Sequence, residues 1–433
     1  MRKEQNELLT QSASETPGGS LLRQFWQPVA LARELTGDRP LVSVRVLHES
    51  LILFRNEDGK LGLIDRNCAH RGADLSYGRL EDGGVRCPFH GWLFDIEGQC
   101  LEQPAEPFET TFCHRIKLKN YPVEEHNGII FAWMSDEPEQ PFLSLACFDA
   151  PEPWTFAFKG LVECNWLQAL EVGIDPAHAS FLHRYLVDDD PTAGYGQQFR
   201  DVADMSNIPV TQLLRVYPRP EISVDETSFG LRLTAIRYLS EHQVHVRVTN
   251  QVFPQAIVIP MSRSMSITQW HVPIDDVSCY WYAIFTSIGD PIDQQKMYEQ
   301  RTQLYELPEY RSKTGKHNNY GYDPLEQRTR TYTGMGDDIN VHDQWAIESQ
   351  GVIQDRTKEH LGRSDIGIIR YRRLLQSALA NGKPRVAEAH NYSSNEKPVS
   401  IDIVLPALDW QSKLSEKLED LSVQAQNVWA GTS

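Results

Sequence analysis

The sequence predicts an α+β protein in which an all-β domain precedes a larger domain that combines a broad antiparallel sheet with helices. From residue 24 to about residue 150, short β-like runs alternate with turn signals such as Asn56–Gly59. Residues 208–290 alternate apolar and polar side chains, as strands of a half-buried sheet do. Helical spacing of apolar residues follows in segments 292–312, 342–361, 365–381 and 410–429. Strands followed by helices are typical of this fold class.

Composition divides the chain into three parts. Residues 1–22 are polar and predict a mobile or surface-draped N-terminal arm. Residues 23–150 form the predicted β domain, and a Pro- and acid-rich stretch at 136–153 is the candidate linker. Residues 151–433 form the second domain, in which Cys164–Tyr185 is predicted as a helix with an irregular part near its centre.

The bulk properties exclude several functions. A net charge of −17 disfavours binding to nucleic acid. No run of about 18 apolar residues predicts a membrane span, and the start MRKEQNELL lacks the apolar segment of a secretory signal, so we expect a cytoplasmic protein. The seven cysteines are odd in number and irregularly spaced. They therefore favour thiolate ligands or buried thiols over a disulfide framework.

A first cluster of metal-ligand residues lies in the β domain. Cys68 and His70 form one C-x-H pair, and after sixteen intervening residues Cys87 and His90 form a C-x-x-H pair. Each short loop offers one thiolate and one imidazole, which suits a Rieske [2Fe-2S] cluster held by two cysteines on one iron and two histidines on the other. The alternative is a mononuclear zinc site, since two cysteines and two histidines also satisfy tetrahedral zinc.

A second cluster lies in the predicted helix. Asp175, His178 and His183 stand close together, and the two imidazoles with one further carboxylate would make the facial triad that suits Fe(II) and O2. On an ideal helix the two histidines would lie roughly 140° apart, so the helix would have to bend or carry a π-bulge between them. The spacing permits a metal site, and two structural histidines remain the alternative.

The third ligand has no local signature. The candidates are Asp337, Asp338, Asp343, Glu348 and Asp355. We favour Asp343 because it lies on an apparently half-apolar helix, where a carboxylate needs a partner and a metal would serve.

Together these motifs resemble the α subunit of the Rieske non-haem iron ring-hydroxylating oxygenases, from about Phe25 to the C-terminal helix. Within that family the chain is most similar to the phthalate 4,5-dioxygenase and phenoxybenzoate dioxygenase group. The supporting segments are Asn6–Leu9, Gly98–Cys100 and Asp355–Asp365.

The resemblance implies a fold and a set of cluster ligands. It implies an N-terminal all-β Rieske [2Fe-2S] domain followed by a helix-grip catalytic domain, in which an antiparallel sheet wraps round a long helix. Cys68 and Cys87 would hold one iron of the cluster, and His70 and His90 the other.

The resemblance also implies a mononuclear Fe(II) site and an assembly. His178, His183 and Asp343 would hold the iron. Asp175 would connect His178 to His90 of a neighbouring subunit and carry electrons between them, which implies a homotrimer or two stacked trimers.

The implied activity is hydroxylation of an aromatic substrate with O2 as co-substrate, by analogy cis-dihydroxylation of an aromatic carboxylate. Electrons would come from NAD(P)H through a separate flavin/iron–sulfur reductase or a ferredoxin, which fits the lack of a Rossmann fingerprint here. Arg237 and Arg247, on predicted strands Leu231–Tyr238 and Val244–Val252, would bind the carboxylate, unless they face solvent. The alternatives are a mono-oxygenase or O-demethylase and a non-catalytic electron carrier.

Overall fold

The computed structural model describes residues 1–186, 202–380 and 396–430, and the chain separates into two compact units. One unit is Ser12–Phe142, and the other combines Met1–Gln11 with Leu143–Ser433. This differs from the predicted arm of residues 1–22, which instead contributes helices α1 (Lys3–Thr10) and α2 (Pro17–Arg23) to different units. Leu9, Leu21 and Leu22 of this segment are buried, so each helix packs into its own unit.

The Ser12–Phe142 unit is built from three small antiparallel sheets. Their orders are β1-β11-β10, β2-β3-β4-β9 and β5-β6-β7-β8. The strands are β1 (Gln27–Leu31), β2 (Leu41–Val46), β3 (Glu49–Arg55), β4 (Leu61–Asp65), β5 (Arg79–Glu81), β6 (Gly84–Arg86), β7 (Leu93–Phe94), β8 (Cys100–Glu102), β9 (Asn120–Tyr121), β10 (Val123–His126) and β11 (Ile129–Ala132). The apolar core between the second and third sheets also contains Cys68 and Cys87.

The larger unit is organised by a ten-stranded sheet. Its order is β13-β14-β15-β16-β17-β18-β12-β20-β19, and β21 pairs with β15. All ladders are antiparallel except the β12–β20 pair, so the sheet is mixed where the sequence predicted an antiparallel one. The strands are β12 (Thr155–Val162), β13 (Glu221–Thr227), β14 (Gly230–Tyr238), β15 (Gln243–Val252), β16 (Ala256–Ser262), β17 (Met265–Asp275), β18 (Ser278–Ser287), β19 (Tyr305–Glu306), β20 (Arg311–Ser312) and β21 (Ile401–Pro406).

The helices of this unit surround the sheet. They are α1 with α3 (Ala146–Asp149), α4 (Trp166–Ile174), α5 (Val210–Val216), α6 (Gln294–Leu304), α7 (Pro324–Thr329), α8 (Ile339–Glu348), α9 (Ile366–Ala380) and α10 (Trp410–Ala430). Among the described residues, no helix has the length and apolar character needed to cross a bilayer.

Strand β15 shows how the sheet separates its two faces. Val244, Val246 and Val248 are fully buried and belong to the cluster that packs against Leu414 of α10. Their neighbours alternate to the opposite face, because successive side chains of a strand point to opposite sides. That second face carries Arg247 and lies on the side of α4.

Three predicted helices are shorter than expected. The predicted helix Cys164–Tyr185 ends at Ile174, because Asp175 precedes Pro176 and a residue before proline disfavours helical backbone. The predicted helix 292–312 is confined to α6, and the chain then forms the β19–β20 hairpin. The predicted helix 342–361 ends at Glu348, three residues before Gly351, a poor helix former.

Candidate active site

Two similar loops bring the sulfur and nitrogen ligands of the first cluster together. The Cys68 N–H donates to the Ala73 carbonyl, and the Cys87 N–H donates to the Trp92 carbonyl, both at 2.8 Å. Glycines close both turns, with φ of +76° at Gly72 and +75° at Gly91, a region that side chains with a Cβ disfavour. Each loop thereby turns its cysteine and its histidine toward the other loop.

The two histidines of these loops meet edge to face. The ring centroids of His70 and His90 are 4.5 Å apart, and Trp92 stacks on His70 at 4.7 Å. Nδ1 of His90 is buried and has no hydrogen-bond partner among the described residues. A metal ion bound there would satisfy this nitrogen.

The burial of the cysteines also fits a metal cluster. Cys68 and Cys87 are 3% and 2% exposed, and burial raises the pKa of Cys68 to about 11. A bound metal would therefore be needed to hold this thiolate near neutral pH.

The spread of the four ligands favours two metals over one. Around a tetrahedral zinc the ligand atoms lie roughly 3.3–3.8 Å apart, given bond lengths of about 2.0–2.3 Å. Within the described ranges, three ligand atoms lie within 4.8 Å of one another at His178, His183 and Asp343. The four loop residues do not form such a set of three. Two separated pairs suit a binuclear cluster better than the zinc alternative.

The second cluster converges more tightly. Asp343 Oδ1 lies 3.2 Å from His183 Nε2 and 3.8 Å from His178 Nε2. The His178 Nδ1 contacts the Asp175 carbonyl, which only accepts hydrogen bonds, so Nδ1 carries the proton and Nε2 keeps its lone pair. The Nε2 lone pair of His178 would face a carboxylate oxygen here, and a cation between them would remove the repulsion.

Electrostatics agree with this reading of the second cluster. Burial lowers the pKa of His178, and the neighbouring His183 lowers it further. Burial alone would raise the pKa of Asp343, but the imidazoles of His183 and His178 bring it below its ordinary value. Burial and His183 therefore favour the neutral form of His178, and Asp343 is favoured in its ionised form; each can bind a metal in that state.

The end of α4 explains how the two histidines come together. After α4 ends, the Asp175 carboxylate accepts a hydrogen bond from Ala177 N–H at 2.7 Å. His178 then begins a 3-10 turn, His178–Ser180, and His183 follows in the next turn. The predicted bent or π-bulged helix is thus wrong, and two short turns replace it.

The other candidate carboxylates are engaged elsewhere. Asp337 pairs with Arg330, Asp338 caps α8 through Asn340 N–H, and Asp355 pairs with Lys358 on the surface. Glu348 accepts hydrogen bonds from Tyr320 and Gln344.

A cavity of about 200 Å³ adjoins the triad inside the larger unit. Its apolar wall comes from the sheet and includes Ile259, Ile267 and Phe285. His178, His183, Asp343 and Asp175 line it together with Arg247, Gln269 and His271.

The two predicted substrate arginines lie differently. Arg247 lines the cavity and is held by Asp402 at 2.5 Å and by the Pro260 carbonyl at 2.9 Å. Arg237 is 1% exposed and bonds to the Tyr217 carbonyl and to Ser180 Oγ, which itself lines the cavity. Neither faces open solvent, as the alternative required.

Comparison with known proteins identifies the family. A family model described as Rieske [2Fe-2S] domain matches residues 25–122, and one described as LigXa C-terminal domain like matches residues 132–428. The phthalate 4,5-dioxygenase oxygenase subunit of Pseudomonas putida is 30% identical over 99% of this chain and 95% of its own. The chain belongs to the Rieske ring-hydroxylating oxygenases.

Two further similarities define the breadth of the match. The tert-butanol monooxygenase / tert-amyl alcohol desaturase oxygenase subunit of Aquincola tertiaricarbonis is 33% identical over 85% of this chain and 75% of its own. The structure of Pseudomonas putida CBB5 NdmA with caffeine matches with a TM-score of 0.58 at 19% identity, over 87% of this chain and 98% of that one. The predicted family and fold class are confirmed, and the protein is an oxidoreductase.

The sequence did not single out two histidines of this Rieske oxygenase. Both ring nitrogens of His271 are buried in the cavity wall and find no hydrogen-bond partner within residues 1–186, 202–380 and 396–430, and burial lowers its pKa to about 4. The available signal was that Ile267, Gln269 and His271 lie at every second position of a predicted strand. Such residues share one face of a sheet. His342, next to Asp343, contacts His183.

Proposed function

We propose that this chain is a terminal oxygenase component that uses O2 and electrons from a separate flavin/iron–sulfur reductase, directly or through a ferredoxin, to hydroxylate an aromatic carboxylate. By analogy with the phthalate 4,5-dioxygenase relative, the product would be a cis-dihydrodiol. The observation that carries the proposal is one cavity with the triad His178, His183 and Asp343 in its wall and the cation Arg247 in the same wall.

The residues fit both metal groups of the family. Cys68 and Cys87 would hold one iron of the cluster, and the histidines of the same loops the other. The triad would hold Fe(II). When bound, the cluster stores electrons and the open-sided Fe(II) activates O2.

The charge around Arg247 suits a carboxylate. Arg237 and Arg247 interact electrostatically with each other and with Asp402, which leaves two cations for one carboxylate in this buried group. In the part of the chain that the structure describes, Nη1 of Arg237 has no hydrogen-bond partner. A buried excess cation is costly, so an anionic ligand would be stabilised here.

The register of the sheet places Arg247, at the cationic end of the cavity, at a different level from the end that would hold the metal. Gln251, Ile257 and Gln269 lie side by side on β15, β16 and β17. Arg247 precedes Gln251 by four residues, whereas His271 follows Gln269 by two residues in the same strand direction. At about 3.3 Å per residue the two levels are roughly 20 Å apart between backbones. Ile259 and Ile267 of the cavity wall lie between the two levels, where the ring of an aromatic substrate would pack.

Asp175 is the proposed link for electrons. It lines the cavity beside His178 and also a wider groove of about 880 Å³ that includes exposed Phe181, Tyr332 and Trp345. An aromatic groove beside a metal ligand suits docking of a Rieske domain, whose His90 would face Asp175. We therefore propose a homotrimer or stacked trimers in which that domain comes from a neighbouring subunit.

Turnover with labelled O2 tests the proposed activity. Iron-loaded full-length chain, a reductase and NADH would be given benzoates, phthalates and phenoxybenzoates, and products analysed by mass spectrometry. Two labelled oxygens per product support dioxygenation. One labelled oxygen supports a mono-oxygenase or O-demethylase, the second candidate, which the tert-butanol monooxygenase relative favours. Lack of substrate-dependent O2 consumption across the panel would contradict the proposal for aromatic acids.

Arg247→Gln is expected to weaken use of the acid selectively. Losing a charge-assisted hydrogen bond costs about 1.5–3 kcal/mol, so kcat/KM for the carboxylate should fall about 10- to 100-fold. The matched amide substrate should change less than about 3-fold, because it needs no cation. Arg263→Gln, at an exposed position between β16 and β17, is the control and should leave both values unchanged. Equal losses for acid and amide would contradict a carboxylate-binding role.

A further inference from the structure

His342 is a buried histidine that the proposed mechanism has not used. It precedes Asp343 on α8 and is 1% exposed. Its ring lies nearly parallel to that of His183, with centroids 5.6 Å apart and an interplanar angle of 22°. Its Nδ1 is 3.4 Å from His183 Nδ1, and its Nε2 is 3.0 Å from the Gly336 carbonyl oxygen.

These contacts determine where the protons lie. The Gly336 carbonyl can only accept, so His342 Nε2 carries the proton and donates it. A neutral imidazole has one donor and one acceptor, so His342 Nδ1 is the acceptor. His183 must then donate from its own Nδ1. The Nε2 of His183, 3.2 Å from Asp343 Oδ1, therefore presents its lone pair to the triad.

The loop that supplies the Gly336 carbonyl is itself anchored. Asp337, the next residue, accepts a hydrogen bond from Tyr185 Oη at 2.9 Å and pairs with Arg330 at 2.5 Å. Gly336 N–H also donates to Glu326 at 3.0 Å. The carbonyl is therefore held in place rather than free to follow His342.

We propose that His342 is a positioning residue that fixes the tautomer and ring orientation of His183 as an iron ligand, which rests on the proposed iron site at the triad. The two imidazole ligands would then be oriented by backbone carbonyls in different ways. The Asp175 carbonyl acts on His178 directly, and the Gly336 carbonyl acts on His183 through His342. Partners behind a metal ligand hold its orientation and raise its basicity.

Metal titration of the cluster-loaded protein, stripped of mononuclear metal, tests this inference. His342→Phe keeps a flat ring against His183 but removes the acceptor. We expect its affinity for Fe(II), or for Co(II) followed by its absorption spectrum, to fall about 10- to 100-fold. His342→Gln keeps a side-chain oxygen that can accept from His183 Nδ1 and should recover most of the affinity. The melting temperature of each variant is measured in parallel.

The outcomes separate this inference from the proposed function. If the unmodified chain binds no metal that Asp343→Ala removes, the proposed iron site fails. If that site exists but His342→Phe binds metal as tightly as the unmodified chain, the positioning role is overturned. It is also overturned if His342→Phe and His342→Gln lose affinity equally and in proportion to their loss of melting temperature, since that is a packing effect.

Discussion

Replacing His183 with alanine is expected to abolish oxygenation while leaving the cluster-bearing unit intact. His183 is the nearer of the two imidazoles to Asp343 Oδ1, at 3.2 Å, so its loss leaves an incomplete triad. Turnover should fall by about 10³-fold or more, at least about 4 kcal/mol in transition-state stabilisation. Iron analysis should show about two irons per chain in place of about three, because a Rieske cluster holds two irons and the proposed site at the triad would hold one. The EPR signal of the reduced cluster should persist.

The control for this change is His242→Ala, an exposed histidine in the turn before β15. It should retain iron content and turnover. A His183→Ala protein that keeps three irons and most of its activity would show that the triad is not the oxygen-activating site. Loss of the EPR signal in His183→Ala would indicate general damage instead.

The cluster loops were predictable because their information is local. Each cysteine lies within three residues of its histidine, and a glycine closes each turn. The strands Leu231–Tyr238 and Val244–Val252 were predictable for a similar reason. Alternation of apolar and polar side chains indicates a half-buried sheet, and the structure has β14 and β15 at these positions.

The geometry of the triad was not predictable in this way. A helical reading of Cys164–Tyr185 placed His178 and His183 on different faces, because it extended the helix past Pro176. The helix end brings both rings to one side, which no periodicity reveals. The apolar neighbourhood of Asp343 favoured it over four other acidic residues. Tertiary packing decides which partners those four residues have.

Single histidines were the least predictable residues. His271 and His342 have no motif, and their environment comes from the sheet register and from the packing of α8 against the turn that carries His183. The adjacency of His342 to Asp343 was the available clue. The buried position of Arg237 and the half-buried position of Arg247 likewise depend on which face of the sheet is covered, and strand alternation alone leaves that choice open.

A buried ion network that holds α4 gives the largest expected stability effect. Glu171 is 5% exposed, and Arg356 and Arg372 donate to its carboxylate, both with contacts at 2.9 Å. Arg372 also pairs with Glu359, and Arg356 bonds to Asn6 of α1 at 3.1 Å. These two guanidinium and two carboxylate groups thus link α4 to α9 and α1. The link is made at Glu171, four residues before Asp175.

Glu171→Gln should lower the free energy of unfolding by about 3–5 kcal/mol, because it leaves two buried cations with one carboxylate. Chemical denaturation at pH 7 measures this loss. Glu416→Gln, which breaks a surface pair with Lys413, should change stability by less than about 1 kcal/mol. Equal effects of the two substitutions would contradict a buried network.

The pH dependence of the free energy of unfolding provides a second, independent test of this prediction. Burial alone would raise the pKa of Glu171, but Arg356 and Arg372 bring it below its ordinary value of 4.5. A carboxyl with a lowered folded-state pKa contributes its full stability above the unfolded pKa and loses it as pH falls through the folded value. The difference between the unmodified chain and Glu171→Gln should therefore be constant from pH 7 to about 5 and shrink below pH 4.5. A difference that grew in acid would mean that Glu171 is protonated in the folded protein, and the network would then be stabilised by packing rather than charge.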